Sequence, residues 1–348
     1  MTAVNDNAPA ITSNGGGASA SVNVTENTTA VTTVTATDAD AGSTLTYAIV
    51  GGADAARFTI NPSTGALVFV APPNFEAPSD AGGDNLYDVT VQVSDGTLTD
   101  TQAIAVSVVN ANEAPVNAVP GAQTVAEDGT LAIGGVSVAD QDNNVATVRL
   151  TVVQGSVTVN LAGGASVSAG ANNSATLTLS GTAGQINAAL ATLAYAPSAN
   201  YNGGDTLSVV STDTLGLADT DTVTITVSAV NDAPVLTSVD LGVGEGQTVT
   251  LSPVSIGVID VDGAAFTYTV SGLSGGIFQW SSAPGVAIGS FTGTQLSGGS
   301  GAVRPTMATR LPLRSASPPA TAAPAPTRSM RTSPTRQRMT RRCSPARR

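Results

Sequence analysis

Val4-Asn-Asp-Asn-Ala-Pro-Ala-Ile-Thr12 is the stretch on which the fold turns, because it comes back twice. It returns as Val109-Asn-Ala-Asn-Glu-Ala-Pro-Val-Asn117 and as Val230-Asn-Asp-Ala-Pro-Val-Leu-Thr237. Each copy is followed by a lone glutamate, Glu26, Glu127 or Glu245, and then by an Asp-x-Asp pair. The pairs are Asp38 and Asp40, Asp140 and Asp142, and Asp260 and Asp262. One such element means little, but three in the same order mark an internal repeat. Between the punctuations the period is two: DVTVQVSD from Asp88, AIAVSVV from Ala103 and TVTITVSAV from Thr222 alternate small polar with branched apolar residues. That pattern predicts strands with one buried face, separated by Gly, Asn and Asp turns. A single segment breaks it, Thr182 to Leu193, where Thr182 and Gln185 form a capping-box pair and Ile186, Leu190 and Leu193 share a face.

The expected fold is all-β: tandem Greek-key sandwiches, immunoglobulin-like in architecture and arranged in line, with a short helical crossover in the second. The expected divisions are 1–113, 114–232, a truncated repeat over 233–301, and a tail over 302–348.

Composition narrows the function. The 348 residues include no His and one Cys, Cys343, and none of the 13 basic residues is Lys. A histidine base, a His-rich metal site, a phosphate-binding or Schiff-base lysine and a disulfide framework are therefore excluded. All 25 acidic residues precede position 303, where the only bases are Arg57 and Arg149, while the other eleven arginines lie beyond Ala302. Such an anionic body repels nucleic acid and anionic membrane and attracts a hard cation. There is no run of transmembrane length and no signal peptide. No enzyme is expected, since only carboxylates are available and they sit at linkers rather than in a cleft.

The ordered motifs of the first repeat resemble a cadherin repeat of the bacterial type. The likeness spans residues 4–113 and rests on Asn5-Asp6-Asn7-Ala8-Pro9, Glu26, ATDADAG around Asp38 and Asp40, FTINPSTGALVF from Phe58, PNFEAP around Glu76, and YDVTVQVSDG ending in Asp95 and Gly96. The second and third repeats are similar to more divergent cadherin-like modules of large surface proteins. The resemblance implies Ca²⁺ at the boundaries between repeats. At the amino-terminal boundary it implies Asn5, Asp6, Asn7, Asp38, Asp40 and Asp95 as ligands. Between the first and second repeats it implies Glu26, Glu76, Asn112, Glu113, Asp140, Asp142 and Asp213. Between the second and third it implies Glu127, Asn231, Asp232, Asp260 and Asp262. The chemistry of the residues agrees: Ca²⁺ takes six to eight oxygens in a loosely constrained shell, and Asp, Glu and Asn crowd the punctuations with almost no cation to pair them. Turn formation is the competing explanation of any one aspartate, and Asp54, Asp100 and Asp219 read as turn formers.

Several positions depart from the family pattern. Asn74 stands where an acidic residue is usual, the linker at Val109 is longer and has Glu113 for Asp, and the second repeat lacks a clear counterpart of the Glu76 motif. Trp280 lies far from the amino terminus, so strand exchange is not implied. The tail from Ala302, rich in Arg and Pro, is expected to be disordered and to arise from a slip of reading frame near Gly301, with a basic arm as the alternative. The chain also begins within a linker, as a fragment of something longer would.

The function these features imply is a calcium-stiffened stalk or adhesive segment of an extracellular, cell-surface protein. Its partners would be Ca²⁺, neighbouring repeats, and another adhesin copy or a surface glycan or protein, with no nucleic acid. A metal-independent spacer is the alternative.

Overall fold

The computed structural model describes residues 5–305 except 41, 240, 245–246, 264, 274–275 and 299–300, with 301–305 and 316–317 described by backbone alone. Glu245 and the rest of the tail, Cys343 included, lie outside the described residues. Contacts divide the chain into two units, residues 1–230 and 231–348. Among the described residues, no helix is long and apolar enough to cross a membrane.

The first repeat is built from β1 (Ala10–Ile11), β2 (Ser19–Thr25), β3 (Ala30–Thr33), β4 (Ala36–Thr37), β5 (Thr46–Gly51), β6 (Phe58–Ile60), β7 (Ala66–Phe69), β8 (Leu86–Ser94) and β9 (Thr99–Val109). One sheet runs β2-β9-β8-β5 and the other β3-β7-β6. Alternation does what it predicts. Val89, Val91 and Val93 on β8, and Ile104, Val106 and Val108 on β9, point into the core while their neighbours face outward. Three aromatics cluster in this core: Phe58 stacks on Phe69 at 4.6 Å, and both meet Tyr87 edge-on. The β8–β9 hairpin is antiparallel, yet β2 joins β9 in parallel, from Ser19 opposite Ala103 to Thr25 opposite Val109. That pairing brings Glu26, one residue past β2, beside the linker that follows β9, and the Glu26 N–H donates to the Val109 carbonyl at 3.1 Å.

The second repeat follows with β10 (Val116–Ala118), β11 (Gln123–Ala126), β12 (Leu131–Ala132), β13 (Ser137–Ala139), β14 (Val145–Thr151), β15 (Gly155–Thr158), β16 (Ser166–Gly170), β17 (Thr176–Ser180), α1 (Ala183–Leu190), β18 (Ala194–Pro197), β19 (Gly203–Asp213) and β20 (Ala218–Ser228). Its sheets are β11-β20-β19-β14-β17-β16 and β12-β18-β15, and β11 again joins β20 in parallel. The crossover helix has the expected capping box, with the Thr182 hydroxyl accepting from the Gln185 N–H and the Gln185 side chain accepting from the Thr182 N–H. Ile186, Leu190 and Leu193 are buried, each stabilising by roughly 1.5–3 kcal/mol. The Asn187 amide fastens the helix to β13, donating to the Val138 carbonyl at 2.8 Å and accepting its N–H at 2.9 Å.

Asp54, Asp100 and Asp219 correct the sequence reading, because none of them merely shapes a local turn. Asp100 accepts the Ile11 N–H at 2.8 Å and Asp219 accepts the Asn117 N–H at 2.8 Å, so each pins the first strand of its repeat from far along the chain. Asp54 takes the N–H groups of Ala81 and Asp88.

The third repeat holds β21 (Val235–Val239), β22 (Val249–Thr250), β23 (Ile256–Ile259), β24 (Thr267–Thr269), β25 (Gly276–Trp280), β26 (Ser290–Thr292), α2 (Gly293–Ser297), β27 (Gly301–Pro305) and β28 (Ala316–Ser317). Its order β22-β27-β25 repeats β12-β18-β15, and β26-β24 repeats β17-β14. The place beside β24 that corresponds to β19 is taken by the two residues of β28. Leu251, Ile256, Tyr268, Phe278, Phe291 and Leu296 form its core.

Candidate metal centre

At the boundary of the first and second repeats, ligand oxygens of Glu26, Glu76 and Glu113 lie within 4.8 Å of one another. They come from three separate segments. Glu26 follows β2, Glu76 sits on the loop after β7, and Glu113 belongs to the linker. Glu26 is buried to 1% exposure, with one carboxylate oxygen accepting the Phe75 N–H at 2.8 Å and the other the Ala111 N–H at 2.9 Å. It therefore ties the Glu76 loop to the linker. Asn27, in the left-handed region at φ 61°, donates its amide to Glu113 at 2.6 Å. The other Glu113 oxygen, Oε2, is buried with no hydrogen-bond partner.

Among the described residues the charges that act on these carboxyls are those of other carboxylates, and the carboxyls respond. Partial desolvation of an otherwise exposed side chain, followed by the nearby Glu26 and Asp142 charges, pushes Glu76 above its ordinary value. Burial, with Glu26, Asp142 and Glu76, does the same to Glu113, against the Asn27 hydrogen bond that lowers it.

The second repeat supplies the opposite wall. Asp142 accepts the Glu113 N–H at 2.9 Å and the Asn110 amide at 2.8 Å. Asn112 donates to Asp213 at 2.6 Å. Asp213 also accepts the N–H groups of Leu215 and Leu217, and its carboxyl lies below the ordinary value because these bonds and the Asn112 amide outweigh its burial. Asp140 is placed by the Asn144 N–H at 3.4 Å. Of the residues expected here, the structure brings Glu26, Glu76 and Glu113 into one group. Asp142, Asn112 and Asp213 are joined to that group's linker, and Asp140 lies on the same loop as Asp142.

The amino-terminal linker repeats this arrangement in miniature. Asp40 accepts the backbone N–H groups of Asn7 at 2.8 Å and Asp6 at 3.1 Å, and the Asn7 amide at 2.9 Å. Asp38 accepts the Asp40 N–H at 2.7 Å, and Asp95 accepts those of Thr97 and Leu98. Asn5 donates to Asp95, whose carboxyl is lowered chiefly by the Leu98 and Thr97 N–H groups. One oxygen each of Asp38 and Asp95 is buried without a partner. In the third repeat the same two bonds recur: the Asp232 N–H donates to Asp262 at 2.6 Å, and the Asp262 N–H to Asp260 at 2.9 Å. Asn231 donates its amide to the Asp232 carbonyl. In the second repeat Glu127, like Glu26, is buried and accepts a linker N–H, that of Val230 at 2.6 Å.

The donor set suits a hard cation. It is all oxygen, mostly carboxylate, drawn from loops that can adjust, and it leaves buried oxygen atoms unused. What sequence reasoning missed is the part played by the amides. Asn27 and Asn110 hold the carboxylates in place, and only their position beside the motifs hinted at it.

Residues 20–110 match the family model described as Cadherin domain, and residues 135–222 match the one described as Protein GAMETE EXPRESSED 2 domain. No curated protein matches the chain. Among solved structures it is similar to Protocadherin Gamma B2 extracellular cadherin domains 1-5, at 19% identity, covering 89% of this chain and 55% of that one, with a TM-score of 0.38. It is also similar to the human Desmocollin-1 ectodomain, at 19% identity over 88% of this chain and 55% of that one, TM-score 0.31. A third is mouse Cadherin-23 EC22-24, at 21% identity over 66% and 67%, TM-score 0.30. The chain spans about half the length of the first two of these structures. The cadherin match lies within the first repeat, over residues 20–110.

Proposed function

We propose that the chain is a calcium-binding segment of an extracellular repeat protein that serves cell adhesion or forms a surface stalk. Ca²⁺ between the first and second repeats would be held by Glu26, Glu76, Glu113 and Asp142, with Asn112, Asp140 and Asp213 beside them. The observation that carries this reading is the convergence of Glu26, Glu76 and Glu113 within 4.8 Å, where among the described residues the charges that act on Glu76 and Glu113 are those of other carboxylates. Calcium would supply the positive charge that these carboxylates otherwise lack. The residues then do mechanical work. Glu26 fastens the Glu76 loop to the linker, Asp142 fastens the linker to the second repeat, and neutralising both turns a charged hinge into a stiff joint. The same role is proposed for Asn5, Asp6, Asn7, Asp38, Asp40 and Asp95 at the amino-terminal linker. Glu127 in the second repeat, and Asn231, Asp232, Asp260 and Asp262 in the third, have the matching local geometry.

Extracellular calcium modules fill at about 10⁻⁴–10⁻³ M, and an extracellular location belongs to the same proposal. The motif pattern favours a bacterial surface protein, in which another copy, a surface protein or a glycan would be the adhesive partner. Titration of the chain with calcium by calorimetry tests the reading, with Glu113→Gln as the comparison. Saturable binding that weakens in the variant supports it, and no heat up to about 10 mM, well beyond that range, overturns it in favour of a metal-free spacer.

A further inference from the structure

One contact at the boundary of the first and second repeats belongs to no ligand set. The Asn74 amide donates to the Gln141 side-chain oxygen at 2.7 Å, joining the loop after β7 directly to the loop between Asp140 and Asp142. Both ends are held in place. The Asn74 oxygen accepts the Ala77 N–H at 2.7 Å, which fixes the amide with its NH2 on Gln141. Gln141 sits on a loop closed by the Asn143 N–H on the Asp140 carbonyl and the Asn144 N–H on the Asp140 carboxylate. The corresponding positions of the other Asp-x-Asp pairs are Ala39 and Val261, which cannot make this bond.

We infer that Asn74 and Gln141 form a metal-independent clasp that keeps the first and second repeats in a preferred orientation before any cation arrives. The clasp joins two neutral amides, so it carries no desolvation cost of charge and does not titrate. It also acts alongside the linker bonds of Asn110 and Glu113 to Asp142, and of Asn112 to Asp213, which likewise cross the boundary. Because the pair is partly exposed, it sits at the weak end of net hydrogen-bond strength, and its loss should lower the ratio of clasped to unclasped joints roughly two- to threefold. The inference deepens the proposed function, adding an order that exists without calcium, but it does not depend on calcium being bound.

The test uses the full chain with Cys343→Ser and spin labels at Ser21→Cys and Ser166→Cys, exposed positions on the first and second repeats. Distance distributions are measured by pulsed electron resonance, in excess chelator and in millimolar calcium. In chelator the parent should show one dominant distance, and Gln141→Ala or Asn74→Ala should broaden it, with the ratio of the dominant to the other distances falling by about a factor of 2–3. Thermal melts confirm that both variants stay folded, since neither side chain enters a core. Identical distributions for parent and both variants in chelator overturn the clasp. The response to calcium decides the cation reading separately, because narrowing on calcium addition is expected in parent and variants alike.

Discussion

Glu76→Gln should stabilise the metal-free protein and at the same time blunt its stabilisation by calcium. The side chain is exposed, so its interactions are at the solvent-screened end of the range. Two unit charges 4.8 Å apart repel by about 1 kcal/mol in water and by about 3–4 kcal/mol at an effective dielectric of 20. Taking the lower figure, removing the Glu76 charge relieves its repulsion from Glu26 and Glu113 and stabilises the metal-free chain by about 1–2 kcal/mol. For a unit of this size that raises the melting temperature by about 2–8 °C. With 1 mM calcium that advantage shrinks. The parent gains about 0.4–1.4 kcal/mol per site for affinities of 10⁻⁴–10⁻³ M. A variant that binds about tenfold more weakly gains only about 0.1–0.4 kcal/mol. Differential scanning calorimetry in chelator and in calcium reads both effects. If Glu76→Gln lowers the melting temperature in chelator, or keeps the calcium-induced shift of the parent, the carboxylates are not acting as a repelling cluster that a cation relieves.

Three further outcomes follow from the same geometry. Asp140→Ala with Asp142→Ala should abolish calcium-dependent protection of the linker from limited proteolysis while leaving the second repeat folded, as judged by circular dichroism. Calcium affinity should fall as pH drops through the raised range of Glu76 and Glu113, above the ordinary glutamate value of 4.5, because protons and cation compete for the same oxygens. In chelator those two carboxyls favour the folded state when protonated, and that contribution is lost as pH rises through their folded values; Asp95 and Asp213, lowered below 3.8, favour folding when ionised and lose their contribution as pH falls through theirs. Calcium titrations and melts between about pH 7 and pH 3 separate the two. Thr182→Ala removes the cap of α1 and should cost about 1 kcal/mol in chemical denaturation of the second repeat.

Much of this was legible because it is local or periodic. The alternation along β8, β9, β19 and β20, and the capping box at Thr182, are short-range patterns that burial then obeys. The three Asp-x-Asp pairs could be aligned by eye. What the residues alone did not disclose depends on contacts between distant segments. The parallel joining of β2 to β9 carries no signature in either strand, yet it delivers Glu26 to the linker. Asp100 and Asp219 looked like turn formers because their partners, Ile11 and Asn117, lie far away along the chain. Asn27 reads as an ordinary helper of a turn until its amide is found on Glu113.

The longer second linker shows how the boundary tolerates a change of length. At the amino-terminal linker one residue, Asn7, gives Asp40 both a backbone N–H and a side-chain amide. In the linker at Val109 an extra residue separates these roles, so that Asp142 receives its N–H from Glu113 and its amide from Asn110. The carboxylate is satisfied in the same way both times, which explains why the insertion does not displace it. The remaining oxygens then divide the acidic residues into two kinds. Asp54 and Asp100 give both oxygens to backbone N–H groups and are structural. Asp38, Asp95 and Glu113 each keep a buried oxygen that has no partner among the described residues. A buried acceptor left unpaired is costly, and more so when charged, so three of them on carboxylates at the two repeat boundaries are hard to explain as structure alone. A cation taken up at those positions accounts for that cost, and substituting the structural class should unfold a repeat where substituting the other class should only loosen a joint.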